Sequence, residues 1–311
     1  MKQTPWGEIE VADAHVHFFS PAFFESLAAQ KGAPAADVGQ TLGWQVPESV
    51  EYLADRWVVE LNHSGVEKAV LVASIPGDIE SVGTAVNRHP SRFRSIAMLN
   101  PTLHGADIRC AQALGNGLIQ GVFLFPAMHR YSMHDNNVRS LLATLAGCPG
   151  TVVYVHCGML SVGFRRKLGL PCPFDMRYSN PIDLHDTLLE FPHLPFVIPH
   201  FGAGFFREAL MLADLCPNVY FDTSSSNRWL ATQTPRMGLA QAFTQALEVA
   251  GPKRLLFGTD SSWFPRGWTG EIFDAQVQAL QDAGADEATA RAIFSANLNT
   301  LFGWPGNSRT S

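Results

Sequence analysis

Two imidazoles one residue apart carry the first chemical signal of this chain. In the stretch "EIEVADAHVHFFS" (8–20), His15 and His17 interrupt an otherwise apolar run. Residues two apart on a strand project to the same face, so the pair points to one place. Three more polar groups end apolar runs in the same way: His156 in "TVVYVHCG", His200 in "PFVIPHFGAG" and Asp260 in "RLLFGTD". A buried histidine or aspartate there needs a partner, because an unpaired polar group costs about 1–3 kcal/mol. One shared cation, with water and a substrate, satisfies all of them together.

Bringing groups so far apart in sequence to one point sets a demand on the fold. Apolar β-rich runs recur at 8–18, 68–74, 93–99, 120–125, 151–157, 195–201, 218–224 and 254–260. Most are continuous rather than alternating, as parallel strands covered on both faces should be. Helical patterns lie between them, among them "SVEYLADRWVVELNHSG" and "LAQAFTQALEVAG", and several end in glycine. Eight strands alternating with helices predict a (β/α)8 TIM-type barrel, with residues 1–311 as a single domain. An open doubly wound sheet fits less well, since no G-x-G-x-x-G follows the first strand. In the barrel His15 and His17 point to the axis if Ala14 and Val16 face the helices. The connections after strands one (20–46) and five (158–184) are long and overhang the C-terminal mouth, where ligands bind.

Composition narrows the partners. Hydrophobic residues make up 46% and charged residues 16%, a balance suited to a soluble protein with a large core. The net charge of −6 gives no basis for nucleic acid or an anionic membrane as partner. No run of about 18 apolar residues is present, and "MKQTPWGEIE" has no signal-peptide apolar segment. Five scattered cysteines without a C-x-x-C pair suit free thiols in a reducing compartment, so a cytoplasmic location is expected.

The segments "DAHVHF", "VHCG", "PHFGAG" and "LLFGTD" resemble the motifs of the amidohydrolase-related (amidohydrolase 2) branch of the amidohydrolase superfamily. The likeness runs over residues 13–260, in register with all eight strands. It implies a barrel with the chemistry of metal-dependent hydrolases, lactonases or non-oxidative decarboxylases. By that resemblance His15, His17, His156 and Asp260 are the metal ligands. His200 matches the histidine that contacts the reacting group or assists proton transfer. Binuclear relatives carry a bridging carboxylated Lys or a Glu after strand four, where this chain has Phe123, Leu124 and Phe125. One divalent metal is therefore expected: Zn²⁺ foremost, with Mn²⁺, Co²⁺ or Fe²⁺ also compatible with three imidazoles and a carboxylate. Such a cation polarises a substrate oxygen and brings the pKa of water from 15.7 toward about 7. Asp260 would accept that proton, and His200 would stabilise or protonate the developing oxyanion.

The expected partner is a small molecule, and relatives often dimerise, which allows a homodimer. His129, after strand four, is the preferred substrate contact, against a solvated loop histidine. Arg165, Arg166, Lys167, Arg177 and Asn180, after strand five, suit a carboxylated substrate, with Arg177 foremost. A solvated helix face explains "RRK" equally well. Ser224, Ser225 and Ser226 read as substrate contacts or loop caps, and Trp263, Arg266 and Trp268 lie by the mouth as a pocket wall or as packing. Hydrolysis of a lactone, ester or amide is the leading activity, non-oxidative decarboxylation of an aromatic or unsaturated acid the alternative. A barrel that binds without turnover is disfavoured, since His200 exceeds what binding requires.

Overall fold

In the computed structural model, which describes residues 1–224 and 227–304, eight parallel strands pair in sequence order. They are β1 (Ala12–Phe18), β2 (Lys68–Ala73), β3 (Phe93–Leu99), β4 (Gly121–Leu124), β5 (Val152–Val155), β6 (Phe196–Pro199), β7 (Val219–Asp222) and β8 (Leu255–Leu256). The ring closes between the last and first strands. Ala14 N–H donates to the Phe257 carbonyl (2.8 Å), His17 N–H to that of Ser261 (2.7 Å), and Asp260 N–H to that of His15 (3.0 Å). This is the (β/α)8 barrel that the alternating pattern predicts.

The strands divide two apolar layers. Val16, Phe18, Leu71 and Phe221 pack outward with the surrounding helices. Val70, Val72, Phe123, Tyr154 and Leu256 fill the interior, together with Leu298, Phe302 and Trp304 from the C-terminal segment. Asn299 of that segment accepts from Lys68 Nζ at the start of β2 (3.1 Å), which fixes it at the N-terminal end of the barrel. The opposite end is left for chemistry.

Three features differ from the sequence reading. The first strand is shorter, because Gly7–Ile9 forms a separate antiparallel hairpin with Lys2–Thr4. Ala14 packs with the interior cluster rather than the helices. The pairing of β1 with β2 shifts register between Asp13 and Val16, and this bulge changes the phase of the strand. His15 and His17 therefore face inward although Ala14 does too. The connection after β1 is also not a plain loop. It holds helices Pro21–Lys31 and Ala35–Leu42, the first capped by Ser20, which accepts from Phe23 N–H, and begun by Pro21.

All five cysteines are free thiols, and among the described residues no helix is long and apolar enough to cross a membrane.

Asp13 latches the closure. Its buried carboxylate accepts from His15 N–H (2.9 Å), Thr259 N–H (3.1 Å), Thr259 Oγ1 (2.5 Å) and Trp268 Nε1 (2.8 Å). Burial pushes its pKa up to about 6 against the pull of these donors, so it is ionised at neutral pH and can accept all four. Asp13→Asn turns an amide N–H₂ toward two of them. A loss of at least about 2 kcal/mol is expected, read as a thermal midpoint lower by several degrees. A midpoint within one degree of the parent would show that the latch does not matter.

Candidate active site

His15 Nε2, His17 Nε2 and Asp260 Oδ1 converge at the C-terminal mouth. The imidazole nitrogens are 3.3 Å apart, and the carboxylate oxygen lies 3.2 Å from His17 and 3.8 Å from His15. Four ligands at about 2.1 Å around a tetrahedral cation have edges of about 3.4 Å. The triangle is of that size.

Hydrogen bonds behind the rings decide what the converging atoms carry. His15 Nδ1 lies 2.6 Å from Asp222 Oδ2, both fully buried, so its proton sits there and Nε2 keeps its lone pair. Ser74 Oγ donates to the Val72 carbonyl (3.0 Å) and therefore accepts from His17 Nδ1 (2.8 Å). That leaves a lone pair on His17 Nε2 as well. Two imidazole lone pairs and a carboxylate then face one point with no hydrogen between them, which only a cation or an added proton relieves. Burial pushes the His17 pKa down, so its ring is neutral. Burial works against charge on His15, yet Asp222 and Asp260 hold its pKa above the ordinary histidine value. Burial works against charge on Asp260 too, but the close approach of His17, and then the nearby His15 and His200, hold it well below the carboxylate range.

His156 borders this group. Its ring stacks on Phe125 at 5.4 Å and meets His200 edge-on at 5.4 Å, and its buried Nδ1 has no hydrogen-bond partner among the described residues. Burial, and then His200 and His15, push its pKa well down, so it is a neutral ring with lone-pair capacity. Among the described residues it is not in a group close enough to share one cation, so its place as a fourth ligand rests on the resemblance. His200 stacks on His15 at 5.2 Å, and its Nδ1 is 2.9 Å from the Ser224 carbonyl and 3.0 Å from Ser224 Oγ. Its proton belongs on Nδ1, which leaves Nε2 as a base. His15, His200 and Asp222 also approach one another closely enough to suggest a second cation site. Ser224 bonds to the same three residues: its N–H donates to Asp222 (2.7 Å), and its Oγ sits 3.1 Å from His15 Nδ1 and 3.0 Å from His200 Nδ1.

Backbone shape delivers these side chains. His200 and Asp260 leave their strands in the left-handed region, with φ of 56° and 59°. Such conformations cost on the order of 1–3 kcal/mol and persist where the surroundings fix them. His200 directly follows β6, which is why that strand stops short of its apolar run. Gly258 permits the packing, since a Cβ there would lie 2.6 Å from Asp222 Oδ1 and 3.2 Å from His15 Cβ.

Other predicted contacts are placed differently. Arg177 is 82% exposed and is engaged by Asp175 at 2.6 Å. Asn180 caps a turn, accepting from Ile182 N–H, while Arg166 and Lys167 are exposed. His129 ends a short helix after β4 (Pro126–His129), with its Nδ1 buried and its ring 6.4 Å from that of Tyr131. Trp268 is buried on Asp13. Ser225 and Ser226 lie outside the described residues. Asp222 and Ser74 carry weight that sequence reasoning did not assign them, and Ser224, read there as a substrate contact or loop cap, bonds behind the histidine rings. For Asp222 a signal existed, because "NVYFD" ends an apolar run in a carboxylate as the β8 segment does.

Comparison with known proteins agrees with this architecture. A family model described as Amidohydrolase matches residues 12–304. A probable 2-pyrone-4,6-dicarboxylic acid hydrolase from Acinetobacter baumannii, with citric acid bound, superposes with a TM-score of 0.62 at 17% identity, covering 95% of this chain and 100% of that one. A 5-carboxyvanillate decarboxylase from Novosphingobium aromaticivorans, with bound manganese and a nitrobenzoic acid, gives 0.64 at 13% identity, with 95% and 97% covered. At these identities the likeness is one of fold. Protein fluG of Emericella nidulans is 32% identical over 87 residues, 28% of this chain and only 10% of that protein.

Two outcomes are expected. Asp222→Asn removes the charge that orients His15 and should weaken metal binding about 10- to 100-fold, measured by chelator competition. Burial holds His129 down at about 4, against 6.5 for an ordinary histidine. Its neutral form stabilises the fold fully above pH 6.5, and that contribution is lost as pH falls toward 4. His129→Gln should flatten this acid limb in thermal melts, and an unchanged limb would contradict the burial effect.

Proposed function

The chain belongs to the Amidohydrolase family, and we propose that it is a metal-dependent hydrolase of a small carboxylated or cyclic substrate, cleaving a lactone, ester or amide bond. The observation that carries this reading is the meeting of two imidazole lone pairs and a carboxylate at 3.2–3.8 Å, with their protons fixed behind the rings. His15, His17, His156 and Asp260 would hold one divalent cation, with zinc suited to this donor set and manganese, cobalt or iron compatible. β4 ends in apolar side chains and offers no bridging carboxylate for a second. When bound, the cation polarises a substrate carbonyl and makes water acidic enough to react near neutral pH.

The chain's own residues do the rest. Asp260 is 39% exposed and His17 20%, whereas His15 is 1% exposed, so substrate and water arrive on the Asp260 side. Asp260 Oδ oxygens accept a proton from attacking water. His200, anchored through Nδ1, offers Nε2 to exchange a proton with the reacting group and to steady an oxyanion. Phe123, Phe125 and the stacked rings around them keep bulk water from the inner side.

A second reading uses the same ligands to release carbon dioxide from an aromatic acid. The flat wall of Phe19, Trp44 and Trp263 beside His17 favours it.

Purified protein should carry about one equivalent of divalent metal, lose activity to a chelator and regain it with zinc or manganese. On a panel of lactones, amides and aromatic acids, acid release without carbon dioxide supports hydrolysis. Carbon dioxide release supports the second reading, and silence across the panel with metal bound would overturn both. His200→Ala should lower turnover by about 10²–10⁴ with metal content kept.

A further inference from the structure

The chain leaving Asp260, "SSWFPRGW" (261–268), folds back at the mouth and brings a cation that forms no salt bridge among the described residues, with Asp260 the nearby opposite charge. The Arg266 guanidinium lies flat on Trp263, 3.6 Å from the ring centroid. Its Nη2 donates to Ser262 Oγ (3.1 Å) and reaches the Asp260 carbonyl (3.4 Å). Trp263 stacks on Trp44 (4.6 Å, 15°) and Trp44 on Phe19 (5.4 Å, 21°), whose ring lies 5.6 Å from that of His17. A continuous column of rings thus runs from Arg266 to a proposed metal ligand. The guanidinium and the His17–Asp260 edge belong to one wall, on the side where the converging group is open.

Four other arginines are held in ion pairs. Arg88 pairs with Asp55, Arg139 with Glu190, Arg177 with Asp175 and Arg291 with Glu287. Among the described residues Arg266 has no ion-pair partner, and its Nε and Nη1 have no acceptor. A guanidinium held by stacking is already oriented, so it loses little freedom on taking a carboxylate by charge-assisted hydrogen bonds.

We propose that Arg266 anchors the substrate: it holds one carboxylate of a flat molecule while a second oxygen-bearing group of that molecule reaches the His15–His17–Asp260 face. This rests on the metal-dependent reading above and narrows its substrate to a planar compound with a carboxylate at a distance from the reacting group. Stacking on Trp263 fixes the direction of that carboxylate, and the ring column supplies a surface for the rest of the molecule.

The test uses zinc-loaded protein and calorimetric titration with benzoate and with the ortho, meta and para benzenedicarboxylates. The parent should bind benzoate only when metal is present, and at least one dicarboxylate about 10- to 100-fold more tightly. Arg266→Met should bring the best dicarboxylate down to the benzoate level while benzoate affinity and zinc content stay the same. Arg266→Lys, with charge but no planar fork, should fall between. An Arg266→Met protein that keeps the preference, or weakens benzoate equally, overturns the anchor. A parent that binds benzoate through metal but shows no preference for any dicarboxylate also overturns it, with the metal reading intact. A parent that binds none of them, with or without zinc, overturns both.

Discussion

Two imidazole lone pairs and a carboxylate cannot share a space of 3.2–3.8 Å unless positive charge sits between them. Much of the surrounding structure enforces that arrangement. Asp222 and Ser74 take the Nδ1 protons of His15 and His17, so the repelling lone pairs cannot be relieved by exchanging tautomers. Ser224 Oγ sits between the Nδ1 atoms of His15 and His200, so both rings turn their Nε2 atoms away from it. The donor set is therefore defined by residues that do not themselves bind the cation.

Barrel closure and site geometry depend on the same contacts. Asp13 accepts from the backbone of His15 and from Thr259 and Trp268, so the latch between β1 and the segment after β8 also sets the position of His15 relative to Asp260. The bulge in β1 turns both histidines inward, and Gly258 gives them room against Asp222. Disturbing the closure disturbs the site. The left-handed conformation of Asp260 is held by this closure through its N–H to the His15 carbonyl, and that of His200 by Nδ1 at Ser224.

At the mouth, long connections form structure of their own. Phe19, Phe23 and Trp44 from the segment after β1 pack with Phe164 after β5, and Trp263 after β8 continues the stack. Aromatic surface on one side and buried imidazoles on the other leave an opening that Asp260 and Arg266 border. A ligand entering there meets a flat wall, one cation and the converging donors.

The residue types at the strand ends, and the recurrence of apolar runs, were legible in the chain because they are local: each run carries its own periodicity and terminal group. From them the barrel and the convergence of His15, His17 and Asp260 could be anticipated. Facing was not legible, since the inward turn depends on a register shift against β2 that strict alternation conceals. Nor were the partners behind the rings, because Asp222 is 207 residues from His15 and Ser74 is 57 from His17. Whether a given arginine is paired likewise depended on where carboxylates land in space: Asp175 engages Arg177, while Arg266 stacks on Trp263. Sequence fixes which groups exist and the element that bears each, whereas proton positions and free charges are properties of contacts that only folding creates.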